Sequence, residues 1–139
     1  MTDQDKAQTP QPLSLTSTRI GSTQPAVLAE FYEKFFGRPA DVHNGPFHMW
    51  LGSGSSFRVS DHSELTGPTQ EPGRILLNFD AKDVKGEFER LKALGLKIIK
   101  EPYATGGHPD YWVATLADPD GNLVQLTTPL EMLTARPAN

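Results

Sequence analysis

Hydrophobic residues follow first an extended and then a helical spacing in the first half of the chain. Residues 13–22, rich in Thr, Leu and Ile, predict a strand, and Pro25 is typical of the first turn of a helix. Gly37 stands where a left-handed C-cap belongs, and shorter strands are predicted at about 47–51 and 55–60. The apolar positions at helical spacing are Leu28, Phe31, Tyr32 and Phe35.

The second half repeats this order of elements. Residues 74–81 predict a strand, Asp83 is a suitable N-cap for the following helix, and Gly95 ends that helix. The segment DPDGN at 118–122 has strong hairpin-turn chemistry. The apolar stripe of the helix consists of Val84, Phe88 and Leu91, and further strands are predicted at 97–100, 111–116 and 123–127.

The two halves align with each other around their helices. Glu30-Phe31 precedes a glycine at 37, and Glu87-Phe88 precedes a glycine at 95. Two copies indicate a duplication rather than a solenoid, which needs more repeats. The alternative is an α+β domain whose two helices resemble each other by chance.

These patterns predict one domain between two tails. The domain spans 13–129, with one module at about 13–66 and another at about 74–129. The polar, proline-bearing segment 1–12 and the segment 130–139 are predicted to be tails, because neither has much to bury.

Composition narrows the possible partners. The net charge of −4 and the pI of about 5.5 argue against nucleic acid and against an anionic membrane surface. The absence of cysteine excludes disulfides, thiolate nucleophiles and cysteine-bound zinc. No apolar run is long enough to span a membrane, and the N-terminus does not resemble a signal peptide, so a cytoplasmic protein is expected.

Three segments carry a resemblance to a known family: LAEFYEKFFG at 28–37, DVKGEFERLKALGLKI at 83–98, and above all DPDGNLVQL at 118–126. Each is similar to its counterpart in the vicinal-oxygen-chelate superfamily, which includes glyoxalase I, extradiol dioxygenases and bleomycin-resistance proteins. The resemblance implies an α+β fold in which two βαβββ modules form a curled mixed sheet, the cup, with the helices on its outer face. It also implies a homodimer.

The metal ligands of this superfamily are not matched here. The resemblance places Ser17, Leu76 and Gln125 at three of the four usual ligand positions, and the fourth falls near Arg58 or Ser60. Leucine has no lone pair, and serine and neutral glutamine are weak ligands for a divalent cation. The sequence therefore predicts neither a metal nor another cofactor, and it puts the metal-dependent activities of the family in doubt.

Strand alternation predicts which side chains line the cup, since every second residue faces the same side. Arg19 matches carboxylate or phosphate geometry; the alternative is a structural ion pair with Asp80 or with a dimer partner. Gln125 and Asn78 offer amide groups to a ligand, or else bond each other. The predicted cup face carries Ser17, Arg19, Leu76, Asn78, Leu123, Gln125 and Thr127, and the helix-packed face carries Ile20, Leu77, Phe79, Val124 and Leu126.

Aromatic and imidazole side chains complete the candidate site. Trp50, Phe57 and Trp112 are predicted to supply aromatic surface to the pocket, although core packing is the commoner use of such rings. Among the histidines, His62 is the candidate because the fourth strand borders the cup, and His108 lies in a glycine-bearing loop. The other two histidines, His43 and His48, match no ligand position of the family.

Three functions follow from these features. The first is a protein that binds a small polar or aromatic molecule in the cup without metal, like the bleomycin-binding members. The second is an enzyme of the same fold, of lyase, isomerase or dioxygenase type, that uses acid–base chemistry or a displaced metal site at His62 or His108. The third is a dimeric scaffold without a ligand.

Overall fold

The computed structural model describes residues 10–134, which form two consecutive βαβββ modules. The first module comprises β1 (Ser17–Ser22), α1 (Pro25–Phe36), β2 (Val42–Asn44), β3 (Phe47–Gly52) and β4 (Ser55–Asp61). The second comprises β5 (Leu76–Asp80), α2 (Val84–Ala93), β6 (Lys97–Ala104), β7 (Trp112–Ala117) and β8 (Leu123–Thr127). A 3₁₀ turn (Pro72–Arg74) precedes β5, and the short helix α3 (Leu130–Thr134) follows β8.

Each module forms its own four-stranded mixed sheet. The strand order is β1-β4-β3-β2 in the first sheet and β5-β8-β7-β6 in the second. β1 runs parallel to β4, and β5 runs parallel to β8, whereas the other neighbours are antiparallel. The shared order confirms the predicted α+β class and the duplication, and the sheets are not closed into a barrel.

The predicted signals at the helix ends are present in the structure. Gly37 adopts a left-handed conformation with a φ of 75° and ends α1. The carboxylate of Asp83 accepts a hydrogen bond from the Gly86 N–H and caps α2. The buried residues are Leu28, Ala29, Phe31, Tyr32 and Phe35 on α1, and Val84, Phe88 and Leu91 on α2.

One hydrophobic core joins the two modules. The ring centroid of Phe79 on β5 lies 4.9 Å from that of Phe35 and 5.7 Å from that of Phe57, both in the first module. Arg90 of α2 donates to the carbonyl oxygens of Lys34 and Phe35, at 2.9 and 2.7 Å. These carbonyls lack partners within α1 and lie at the negative end of its dipole, so the guanidinium stabilises the end of the helix.

Several element boundaries differ from those predicted. β1 begins at Ser17 rather than at 13, because β4 offers ladder partners only from Ser56 onwards. Leu13 and Leu15 are consequently exposed. The sequence pattern missed β2, and a five-residue helix at 130–134 occupies part of the predicted C-terminal tail. Residues 1–9 and 135–139, which include the rest of the two predicted tails, lie outside the described residues.

Candidate functional site

The sheets have one face covered by α1 and α2 and another turned away from them, which we call the open face. The predicted alternation holds: Val124 and Leu126 are buried in the core, and Ile20, Leu77 and Phe79 pack against it. The open face consequently carries the other set of side chains. In the first sheet these include Ser17, Arg19, Ser56, Arg58 and Met49, and in the second Leu76, Asn78, Leu123 and Gln125.

A groove of about 630 Å³ runs along the seam between the two modules, and we call it the seam groove. Ser17 and Asn78 line it together with Leu76, so it joins open-face residues from both modules. Neither the Ser17 hydroxyl nor the Asn78 amide forms a hydrogen bond with any residue in 10–134. The aromatic residues that line the groove are Phe36, Trp50, Phe57 and Phe79.

Two of the predicted aromatic residues, Trp50 and Phe57, both line the seam groove and pack in the core. Trp50 and Phe57 are only 2% and 7% exposed, and they belong to the core cluster. Their positions in β3 and β4 fall in the helix-facing phase, and the Trp50 indole donates to the Arg38 carbonyl oxygen. They therefore contribute to the core and also line the seam groove from the core side.

Trp112, in contrast, lies away from the seam groove. It packs against the core on the helix-covered side of the second sheet, and the Lys85 Nζ of α2 lies 3.7 Å from the centre of its ring. A cation over an indole face is a stabilising contact. Trp112 does not line the seam groove, because its phase in β7 is that of the buried Ala114 and Leu116.

Two arginines stand side by side on the open face of the first sheet. Arg19 on β1 is in register with Arg58 on β4. Arg58 donates from Nε to the Ser56 hydroxyl at 3.3 Å, and Arg19 forms no hydrogen bond or salt bridge within residues 10–134. The structural ion pair with Asp80, one of the alternatives for Arg19, is therefore not formed within the described chain.

The remaining amide of the predicted site is already engaged. Gln125 donates from Nε2 to the Thr115 hydroxyl at 3.0 Å, although Asn78 is its register partner on β5. The Gln125–Asn78 hydrogen bond, one of the two alternatives for these amides, is therefore not formed, and Gln125 bonds to the other neighbouring strand instead. The Asn78 amide has no hydrogen-bond partner within residues 10–134.

His62 lies beside the open face, in the loop that follows β4. A Cβ built on Gly21 would come within 3.1 Å of the His62 Cβ and 2.9 Å of a Leu65 methyl carbon, so this loop folds closely over the end of β1. The His62 Nδ1 accepts the Glu64 N–H at 3.2 Å. In the neutral ring the proton is then on Nε2. His108 lies in another loop, where its Nδ1 accepts the Asp110 N–H.

The contact between His43 and His48 was not evident from the sequence. His43 and His48 are in register on β2 and β3, and their rings stack with centroids 4.1 Å apart. They line a groove of about 680 Å³ between α1 and the β2–β3 hairpin, which also includes Glu30 and Glu33. This groove lies apart from the seam groove and shares only Trp50 with it.

The DPDGN segment forms a polar clamp between the modules. Asp118 accepts the buried Tyr32 hydroxyl at 2.6 Å, and it also accepts the Asn122 amide and the backbone N–H groups of Asp120 and Asn122. Asp120 accepts hydrogen bonds from the side chains of Ser22 and Gln24. We call these contacts the Asp118 clamp. The segment therefore joins the two modules as well as turning the chain, and these contacts were not predicted from the sequence.

Burial is the main cause of the pKa shifts in the Asp118 clamp. It raises the pKa of Asp118 above the ordinary carboxyl value, although the hydrogen bonds from Tyr32 and Asn122 act in the opposite direction. Burial, together with the neighbouring charge of Asp118, raises the pKa of Tyr32 well above its ordinary value. Tyr32 therefore remains a hydrogen-bond donor to Asp118 at neutral pH.

The order and topology of the helices and strands are shared with known proteins. A family model described as a glyoxalase-like domain matches residues 17–127. The chain belongs to this glyoxalase-like family, within the vicinal-oxygen-chelate superfamily. Among curated proteins, no sequence matches the chain.

Solved structures share the fold of this glyoxalase-like domain at low sequence identity. A glyoxalase-related enzyme from Fulvimarina pelagi aligns with a TM-score of 0.70 and 20% identity, over 86% of this chain and 90% of that one. A glyoxalase/bleomycin resistance protein/dioxygenase family enzyme from Burkholderia phytofirmans PsJN aligns at 0.65 and 23%, over 84% and 98%. A lactoylglutathione lyase from Agrobacterium tumefaciens aligns at 0.66 and 17%, over 86% and 96%.

The metal ion implied by the fold family does not fit the residues of this glyoxalase-like domain. Leu76 offers no ligand atom, and the Gln125 amide is bonded to Thr115. Within residues 10–134, no group of three His, Asp or Glu side chains comes close enough to hold a metal ion. In the same part of the chain, no helix has the length and apolarity needed to cross a membrane.

Proposed function

We propose that this glyoxalase-like domain binds a small polar or aromatic molecule in the seam groove without the help of a metal ion. The observation that carries the proposal is the composition of that groove. Its aromatic walls come from the core, and its polar groups, Ser17 and Asn78, have unused hydrogen-bonding capacity. Apolar walls with a few unpaired polar groups are typical of small-molecule sites.

A thermal-shift screen of small compounds that combine a ring with polar groups tests this function. A compound at one hundred times its Kd should add about 2.7 kcal/mol of stability and raise the melting temperature by several degrees. EDTA should not change the shift. Asn78→Leu and Ser17→Val should weaken binding about tenfold, the value of one hydrogen bond.

Gln70→Leu is the matched control, because it removes an exposed amide outside the groove. The proposal fails if no compound in the screen shifts the melting temperature, or if Gln70→Leu weakens binding as much as Asn78→Leu does.

An enzyme of the same fold is the second candidate, and the position of His62 favours it. The loop that carries His62 folds against Gly21 on the open face. Because the His62 Nδ1 accepts the Glu64 N–H, the other ring nitrogen, Nε2, takes no part in that hydrogen bond. An imidazole with one nitrogen oriented by the protein can act as a general acid or base through the other.

Turnover of a bound compound separates the two candidates. For an enzyme, NMR spectra of the compound should change with time, and His62→Gln should lower the rate roughly a hundredfold or more while binding is kept. His108→Gln is the control, since that ring lies in a different loop. A bound compound that stays unchanged over days with the wild-type protein contradicts the enzymatic role.

We also propose that the domain is a C₂ homodimer, the commonest closed assembly. Leu51, Ile75 and Leu76 support this proposal, because they line the seam groove and are 51%, 69% and 44% exposed. Neighbouring exposed apolar side chains often mark an interface.

Light scattering at micromolar concentration should give twice the mass of the chain. Ile75→Asp should yield a monomer, whereas Leu130→Asp, at a residue that is 67% exposed on α3, should leave the dimer intact. A wild-type monomer, or equal effects of the two variants, contradicts the assembly.

A further inference from the structure

The two arginines on the open face form the only pair of like charges in register within the strands of the described chain. Arg19 and Arg58 are direct neighbours on parallel strands, which lie about 4.8 Å apart in a sheet. Like charges placed directly opposite each other destabilise a sheet. Such a pair therefore has an energetic cost unless a counter-charge is supplied.

The described chain supplies no counter-charge. The open-face positions of the first sheet hold hydroxyl, apolar and amide side chains beside the two arginines, but no carboxylate. Neither arginine forms a salt bridge within residues 10–134. Five of the other basic side chains in this region have a salt-bridge partner: Lys34, Arg38, Arg74, Arg90 and Lys92.

The arginine pair adjoins the seam groove. The Ser56 hydroxyl that accepts the Arg58 Nε–H lines the groove, and Ser56 is in register with Ser17, which also lines it. Because its Nε–H is bonded to Ser56, the Arg58 guanidinium is held on the side of the strand that leads to the groove. A molecule in the groove could thus extend a charged end to both arginines.

We propose that the Arg19–Arg58 pair is a binding site for the anionic end of the ligand, and that this ligand carries two negative charges. The inference rests on the proposed function and names its substrate class. Each guanidinium offers a fork of N–H donors that matches one oxyanion edge. One phosphoryl group, or two carboxylates, has enough oxygen atoms to accept hydrogen bonds from both guanidinium groups. A single carboxylate would leave one arginine without a partner.

NMR titration of uniformly ¹⁵N-labelled full-length protein tests the site. The probes are inorganic phosphate, succinate and acetate, each at the same ionic strength and pH 7.5. Phosphate, succinate or both should shift the amide signals of β1 and β4 with a Kd in the millimolar range, at least tenfold tighter than acetate. Phosphate alone indicates a phosphoryl group, and succinate alone indicates two carboxylates.

Variants then identify the binding groups. Arg19→Met and Arg58→Met should each weaken dianion binding tenfold or more, and Arg58→Lys should restore part of it because it keeps the charge without the fork. Arg74→Met, which removes an arginine of the 3₁₀ turn, should bind like the wild type. No variant should melt appreciably below the wild type, since Arg19 and Arg58 have no acidic partner within the described chain. Arg19→Met and Arg58→Met should melt slightly above it without ligand, because each removes one of two like charges in register.

Several results overturn the proposal. Equal binding of acetate and phosphate, unchanged dianion binding in both arginine variants, or the absence of any shift in β1 and β4 would each reject the dianion site. Dissociation of a dimer in the arginine variants, with no dianion binding by the wild type, would assign the pair to a partner's carboxylates. If neutral compounds still bind near Asn78, the proposed function stands and only the anionic site fails.

Discussion

Replacing Asp118 with alanine should lower the free energy of unfolding by about 3–4 kcal/mol, because it leaves several donors without an acceptor at once. The Tyr32 hydroxyl and the Asp120 N–H are buried, and a buried donor that loses its partner costs roughly 1–3 kcal/mol. For a domain of this size, the loss corresponds to a decrease in melting temperature of about 10 °C. Urea unfolding measures the free energy directly.

Asp41 provides the matched control for this variant. Its carboxylate also accepts two hydrogen bonds, from Arg38 and from the Leu51 N–H, but on the exposed surface. Water can replace those bonds, so Asp41→Ala should have a much smaller effect. Equal losses in the two variants would show that the Asp118 clamp contributes no more to stability than a surface ion pair does.

The two carboxylates should also differ in the sign of their pH dependence. The folded-state pKa of Asp118 is raised by burial, so its stabilising contribution is complete at low pH and is lost as the pH rises through that pKa. The hydrogen bond from Arg38 lowers the pKa of Asp41, so its contribution is present above the ordinary carboxyl pKa and is lost as the pH falls. As the pH rises above about 4, the stability of the wild type relative to Asp118→Asn should therefore fall. As the pH decreases below about 4, the stability of the wild type relative to Asp41→Asn should fall.

Replacing Phe57 with alanine should lower the free energy of unfolding by about 3–5 kcal/mol, the usual cost of removing a buried ring. The Phe57 ring is 7% exposed and has four aromatic neighbours, the closest being Tyr32 with a centroid distance of 4.5 Å. Trp112→Ala should cost less, because Trp112 is only partly buried at the edge of the same core. Urea unfolding of both variants gives the comparison.

Phe57 has two roles, because it packs in the core and also lines the seam groove, and two variants separate these roles. Phe57→Leu keeps much of the volume and should fold, and its effect on ligand binding then reports the part that the ring contributes to the seam groove. If Phe57→Ala melted like the wild type, the ring would serve the groove alone and not the core.

The repeated order of elements could be predicted from the sequence, because helix and strand spacings are local signals. Gly37 and Asp83 lie at the predicted helix ends, and alternation assigned Arg19 and Asn78 to the face opposite Val124 and Leu126. Such assignments need only the period of a strand and one marker residue.

The contacts between strands could not be predicted in the same way. The pairing of Arg19 with Arg58 depends on the register of two parallel strands far apart in the sequence, and no local pattern determines that register. The same is true of the stacked pair His43 and His48, since β2 itself was missed. Trp112 was assigned to the pocket although it packs against the core, because the size of an aromatic ring suits both and only packing distinguishes the two.

The Asp118 clamp has a consequence for how the protein is made on the ribosome. The hairpin turn of the first module, at 52–55, has only Gly and Ser, so the carboxylates that hold β1 and α1 come from the second module alone. Tyr32 is synthesised 86 residues before its acceptor, Asp118. The first module must therefore wait, incompletely stabilised, until the DPDGN segment has emerged, and chaperones have access to it during that interval.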